Sequence, residues 1–158
     1  MDLSKPDIPS RLNSLGLALP AAPKPVAAYV PWVRSGQLVF VSGQIPFADG
    51  KLLHTGPVPS AVTVENARLA ARQCALNGLA IVADALGGDL NRVSRIVRLG
   101  VFVCSDPGFV DQPKVANGAS ELLQEIFGEA GRHARAAVGS IALPLGATVE
   151  VEMVVEVE

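Results

Sequence analysis

Arg135 stands among Ala134, Ala136, Ala137 and Val138. A partly buried guanidinium with so little polar company needs an anion supplied from elsewhere. Its planar donors match a carboxylate through two parallel charge-assisted hydrogen bonds. The competing reading is a surface arginine at the start of a strand. Glu150 and Glu152 are a second candidate pair, since residues two apart on a strand share a face at ~6.6 Å. Paired carboxylates hydrolyse glycosides, but a chain that is 4% aromatic has little with which to hold a sugar. By pattern alone Glu150 is not distinguishable from Glu152 or Glu156, because glutamate alternating with valine is the look of any half-solvated strand. His54 and His133 lie far apart with no cysteine or acidic cluster at ligand spacing, so no metal site is expected and neither histidine is expected to be catalytic. Cys74 and Cys104 lack the close pairing of a zinc site or redox dithiol and read as buried small residues. Ser42 lacks the nucleophile-elbow pattern, and Gly87-Gly88 has no phosphate-binding continuation.

These residues depend on a small set of elements. Gln37 to Ser42, rich in β-branched and aromatic residues and bounded by Gly36 and Gly43, fits a buried strand. A loop with Gly50, Gly56, Pro57 and Pro59 leads to Thr63, placed as an N-cap. Ala67, Ala71, Cys74, Gly78, Val82 and Ala85 then share one face of a long helix that stops at Gly87-Gly88. Arg95 to Cys104 reads as a buried strand. Pro113 opens a second helix, with a stripe of Val115, Ala119, Leu122 and Ile126, that ends at Gly128. Ala136 to Leu143 is a short apolar strand, Pro144-Leu145-Gly146 a turn, and Thr148 to Glu158 the most strictly alternating segment. Residues 1–25 form a proline-rich N-terminal arm in which Leu12, Leu15 and Leu19 allow one or two helical turns.

The sum is an α+β fold with both helices on one face of a mixed sheet. With 158 residues, 49% of them hydrophobic, one domain is expected. The uncovered sheet face is incompletely polar around residues 136–141, which predicts a homo-oligomer. A net charge of -2 and few aromatics argue against a nucleic-acid partner. No stretch approaches a membrane span and no secretory layout opens the chain, so a cytoplasmic protein is expected.

Three stretches together resemble the Rid family, also called YjgF or L-PSP: Val41-Ser42-Gly43-Gln44-Ile45-Pro46, the segment around Asn117, and Arg135-Ala136-Ala137-Val138 followed by Leu143-Pro144 and Val149-Glu150-Val151-Glu152. Their order and spacing agree over roughly residues 26–157. The resemblance implies a chorismate-mutase-like fold and a trimer whose sheets form a central barrel, with ligand clefts between subunits. It also implies hydrolysis of enamines and imines such as 2-aminoacrylate to 2-oxo acids and ammonia, without a cofactor. Carried over by position, it makes Arg135 the carboxylate anchor and Glu150 the group that orients water or passes a proton. It makes Tyr29, Ser42, Gly43, Asn117 and Ala137 the lining of the substrate cleft. Ala137 stands where many members have a cysteine, Ala136 where a hydroxyl residue is common, and Ala27-Ala28 where many have Gly-Pro.

If Pro144 to Ala147 closes a hairpin, Ile141 faces Glu150 and Arg135 faces Glu156, which puts Arg135 and Glu150 on the order of 20 Å apart. One subunit then cannot join them, and activity requires a neighbour. The alternative to an enzyme is a trimer that binds a 2-oxo acid without turnover.

Overall fold

The computed structural model describes residues 6–24 and 27–158. The ends of the predicted arm, residues 1–5 and Pro25, lie outside them, as does Val26, where the family resemblance begins. Among the described residues, seven strands and three α-helices follow in the order α1 (Ile8–Ser14), β1 (Trp32–Ser35), β2 (Leu38–Gln44), β3 (Phe47–Ala48), β4 (Lys51–Leu52), α2 (Val64–Ala85), β5 (Val93–Cys104), α3 (Gln112–Phe127), β6 (Ala134–Ser140) and β7 (Val149–Val157). Two elements go beyond the sequence expectation: the short strand β1, and the β3/β4 hairpin inside the stretch read as loop.

The long helix starts as its cap predicts, with the Thr63 hydroxyl accepting from the Asn66 backbone N–H at 3.1 Å. It ends at Leu86, after which Gly87 and Gly88 take positive φ and Gly88 N–H returns to the Ala83 carbonyl at 2.7 Å. The second helix runs from the turn containing Pro113 to Gly128, as read from the sequence. The two helices pack against each other closely because Gly118 lies on the backbone carbonyl of Arg68, where any side chain would collide. Arg68–Glu121 at 2.7 Å and Arg72–Glu125 at 3.3 Å lace the same seam from the solvent side.

Both helices cover one face of a five-stranded mixed sheet of order β1-β2-β7-β5-β6. The central strand β7 buries Val149, Val151, Met153, Val155 and Val157 under them and turns Glu150, Glu152, Val154 and Glu156 to the other face. That open face carries Val33, Phe40 and Val138, all about half exposed, beside the Arg98–Glu152 ion pair at 3.4 Å.

The expected hairpin between the last two strands does not form. β6 pairs in parallel with β5, placing Arg135 opposite Leu99, while β7 pairs antiparallel with β5, placing Phe102 opposite Glu150. Strand β5 therefore lies between them. The physical reason lies in side-chain demand: β7 has five buried apolar residues that need neighbours on both sides, whereas β6, Ala-Arg-Ala-Ala-Val-Gly-Ser, fills an edge. β6 also begins two residues earlier than expected and stops at Ser140, leaving Ile141 almost fully exposed.

The N-terminal segment is docked against the body of the protein. Ile8 and Leu12 are buried, the Ile8 N–H donates to Asn91 Oδ1 at 2.8 Å, and Arg11 Nε donates to the Glu125 carbonyl at 2.7 Å. No helix among the described residues is long and apolar enough to cross a membrane.

Candidate functional site

Two groups of candidate residues emerge, on opposite faces of the sheet. The first surrounds Glu150. Tyr29, Gly43 and Glu150 line one recess of about 380 Å³ together with Pro23, Lys24, Pro31, Gln44, Ile45, Phe47, Asn77, Pro144 and Leu145. It exists because β2 bulges between Val41 and Gln44, lifting Ser42 and Gly43 out of the regular ladder with β7. Gly43 meets the Glu150 carboxylate so closely that a β-carbon there would lie on Oε1. Ser42 lies beside the recess and secures its wall: the hydroxyl donates to the Val30 carbonyl at 2.8 Å and the backbone N–H to the Pro31 carbonyl at 2.9 Å. Beneath, buried Asn77 donates through Nδ2 to the carbonyls of Ile45 and Phe47 at 3.1 and 3.0 Å. The loop that follows Gly43 is thus pinned to α2.

Glu150 is half-buried, and burial pushes its carboxyl above the ordinary glutamate value, with the nearby charge of Glu152 adding to the rise. Such a group exchanges a proton nearer to neutral pH than a surface glutamate does. The recess is otherwise mostly apolar, with Tyr29, which is half exposed, at its edge.

The second group surrounds Arg135. Its Nη1 donates to Asn117 Oδ1 at 2.8 Å and to Ser120 Oγ at 3.1 Å, and Nη2 reaches the Pro113 carbonyl at 3.4 Å. All three partners belong to α3, so the guanidinium lies on the helix side of β6. No carboxylate pairs with it among the described residues, and Nε–H and the second Nη2–H have no partner there either. Those two donors can take a carboxylate through parallel bonds. Ala137 is two residues further on, on the same face, packed against the core.

The register revises the separation between the two groups. Arg135 is level with Leu99 and Glu150 with Phe102, so three residues along the strand and two strand spacings across put their Cα atoms about 14 Å apart. The sequence estimate of 20 Å was too long because it assumed a hairpin. The conclusion that one chain does not join them stands on different grounds: the two side chains project to opposite faces.

The resemblance named Asn117 only as part of the cleft lining; its contact with Arg135 comes from the structure, as does Ser120, and the sequence reading set His133 aside. His133 Nε2 lies 2.9 Å from Ser120 Oγ, and Nδ1 lies 2.6 Å from the Gly131 carbonyl. The signal was present in spacing: Ser120 follows Asn117 by three on a helix, and His133 precedes Arg135 by two on an extended chain, so each pair shares a face. No cluster of three or more histidine, cysteine or acidic side chains suited to a metal occurs among the described residues.

Residues 9–157 match the model of the YjgF/chorismate mutase-like family, whose description carries an endoribonuclease label. The chain is similar to Protein TCP17 of Trypanosoma cruzi, with 49% identity over 150 residues that cover 94% of this chain and 93% of that protein. It is similar to 2-iminobutanoate/2-iminopropanoate deaminase of Dermatophagoides farinae, with 31% identity over 143 residues covering 90% and 95%. Among solved structures, Atu1372 of Agrobacterium tumefaciens, described as of unknown function, superposes with a TM-score of 0.90 at 49% identity, covering 96% of this chain and 92% of that one.

Proposed function

The chain belongs to the YjgF/chorismate mutase-like (Rid) family, and from that footing we propose that it hydrolyses small 2-imino acids and their enamine tautomers to 2-oxo acids and ammonia. The observation that carries this reading is Arg135: a guanidinium held on one side by Asn117 and Ser120, with no acidic partner among the described residues. The substrate carboxylate is the anion it lacks. The deaminase named among the relatives acts on substrates of this class by its name, which supports the assignment.

Glu150 supplies the chemistry. In its protonated form it gives a proton to the terminal carbon of the enamine, producing the N-protonated imine. The resulting carboxylate then takes a proton from water as the water oxygen attacks the imine carbon. The tetrahedral adduct collapses to the oxo acid and releases ammonia. Only water is consumed, and no cofactor enters the scheme. A carboxyl with a raised pKa serves both halves, because it is protonated often enough to donate and basic enough to accept. Tyr29, Ser42, Gly43 and Ala137 complete the cleft around the substrate.

Since Arg135 and Glu150 of one chain face apart, the proposed site combines Glu150, Tyr29 and Gly43 of one copy with Arg135, Asn117 and Ala137 of another. A homotrimer with the open sheet faces packed as a central barrel satisfies this, and it covers Val33, Phe40 and Val138. RNA cleavage, suggested by the family label, has weaker support in a chain with a net charge of -2 and 4% aromatic residues.

The test is a coupled assay in which a dehydratase makes 2-aminoacrylate and its decay is followed with and without the protein. Accelerated decay that disappears in Arg135→Ala is expected. Saturable binding of a 2-oxo acid with no acceleration would replace the enzyme by a binding or regulatory trimer. An Arg135→Ala variant as active as the parent would remove the anchor from the scheme.

A further inference from the structure

The hydrogen bonds behind Arg135 run in one direction. The Gly131 carbonyl can only accept, so His133 Nδ1 carries the proton at that 2.6 Å contact. In a neutral ring Nε2 then presents a lone pair, to which Ser120 donates its hydroxyl proton at 2.9 Å. Ser120 Oγ, its proton committed, offers lone pairs to Arg135 Nη1 at 3.1 Å. Asn117 Oδ1 accepts from the same nitrogen at 2.8 Å. Every polar atom in the series has one consistent role, and Ser120 is 7% exposed, too buried for water to substitute freely.

We propose that Ser120 and His133 are positioning residues for Arg135, a relay that fixes the guanidinium with its Nε and Nη2 donors turned toward the substrate carboxylate. The inference rests on Arg135 being the carboxylate anchor. It adds that the anchor's affinity is set by two side chains that never touch the substrate.

The relay works only while the imidazole is neutral. A protonated Nε2 would donate to Ser120, which already receives Arg135, and the serine proton would lose its acceptor. Burial holds the ring below the ordinary histidine value; the bond to Gly131 opposes this, and the charge of Arg135 adds to the lowering. On its outer side His133 shares a shallow recess with Arg95, Arg132 and Glu156, two cations and one anion. The consequence is a loss of carboxylate affinity on the acid side that belongs to His133 and is separable from any titration of Glu150.

Calorimetric titration with 2-oxobutanoate as probe, at neutral and acid pH, together with steady-state kinetics, tests this. Ser120→Ala and His133→Leu should bind the oxo acid roughly tenfold more weakly and raise KM by the same factor, as expected for losing one hydrogen bond to a charged group. Their kcat should stay within about twofold of the parent. His133→Gln keeps a side-chain acceptor for the serine proton. It should bind within about threefold of the parent and lose the acid-side fall in affinity. A His133→Gln variant no better than His133→Leu, or one that keeps the parental pH dependence of binding, overturns the relay. So does a fall in kcat as large as the rise in KM in Ser120→Ala, which would mark a structural role only. Arg135→Ala separates the two levels. If it loses the probe while Ser120→Ala and His133→Leu bind as the parent does, the relay is wrong and the anchor stands. If Arg135→Ala binds as the parent does, the anchor itself is wrong.

Discussion

Replacing Gly43 by alanine tests whether the position of the Glu150 carboxylate matters. A β-carbon at 43 lands on Glu150 Oε1 and within contact of its carboxyl carbon. Gly43 has an ordinary backbone conformation, absent from the residues with positive φ, so alanine adds no strain there. The far end of a glutamate is flexible, and the conflict resolves by moving the carboxylate roughly 1 Å, the scale of misplacement that costs about 10²-fold in rate. Stability should change by less than about 1 kcal/mol, because no buried group loses a partner. The assay is decay of enzymatically generated 2-aminoacrylate, with a thermal melt alongside. Gly43→Ala should melt within a few degrees of the parent, keep its affinity for 2-oxobutanoate within a few-fold, and lose most of kcat. Full activity in a folded Gly43→Ala protein would refute the role given to the carboxylate.

Other predictions follow from the same geometry. On an enamine, which needs Glu150 protonated first, the limb of kcat that falls as pH rises should lie above the ordinary glutamate value of 4.5, because burial and then Glu152 raise Glu150. Glu152→Gln removes the second cause and should move that limb to lower pH, while Glu150→Gln should abolish turnover; both are read from pH–rate profiles. Asn77→Ala strips two carbonyls of their buried donor and should cost roughly 1–3 kcal/mol by urea denaturation, with a rise in KM as the loop after Gly43 loosens. Val138→Asp places a charge on the open sheet face and should shift the protein to monomers in sedimentation velocity, with activity lost in parallel. Ile8→Ala should cost roughly 2–5 kcal/mol in the same denaturation measurement, since that side chain is almost completely buried.

Local signals identified the elements well. The cap at Thr63, the glycines at 87 and 88, the proline at 113 and the valine alternation of β7 each encode a boundary or a face through backbone chemistry, and all appear as read. Sheet order was not legible, because the shortest connection suggested a hairpin while the burial demand of β7 placed it in the middle. The N-terminal helix was visible only as three leucines, and its docking depends on Asn91 and Glu125, distant in sequence. Arg135 and Asn117 were named through the resemblance, and the structure adds their 2.8 Å contact. Ser120 and His133 were invisible as a set because their link crosses from a helix to the segment entering a strand. Glu150 could not be told from Glu152 by alternation. What separates them is the β2 bulge that brings Gly43 over one and not the other.

The central claim is that the working site is shared between copies of the chain, and complementation tests it most directly. Arg135→Ala and Glu150→Gln should each be inactive alone. Refolded together in equal amounts, they form mixed rings in which one interface joins an intact Glu150 to an intact Arg135. For a closed trimer, random mixing predicts recovery of about a quarter of the parental activity. Mixed assemblies that form and remain as inactive as either variant alone would contradict the account.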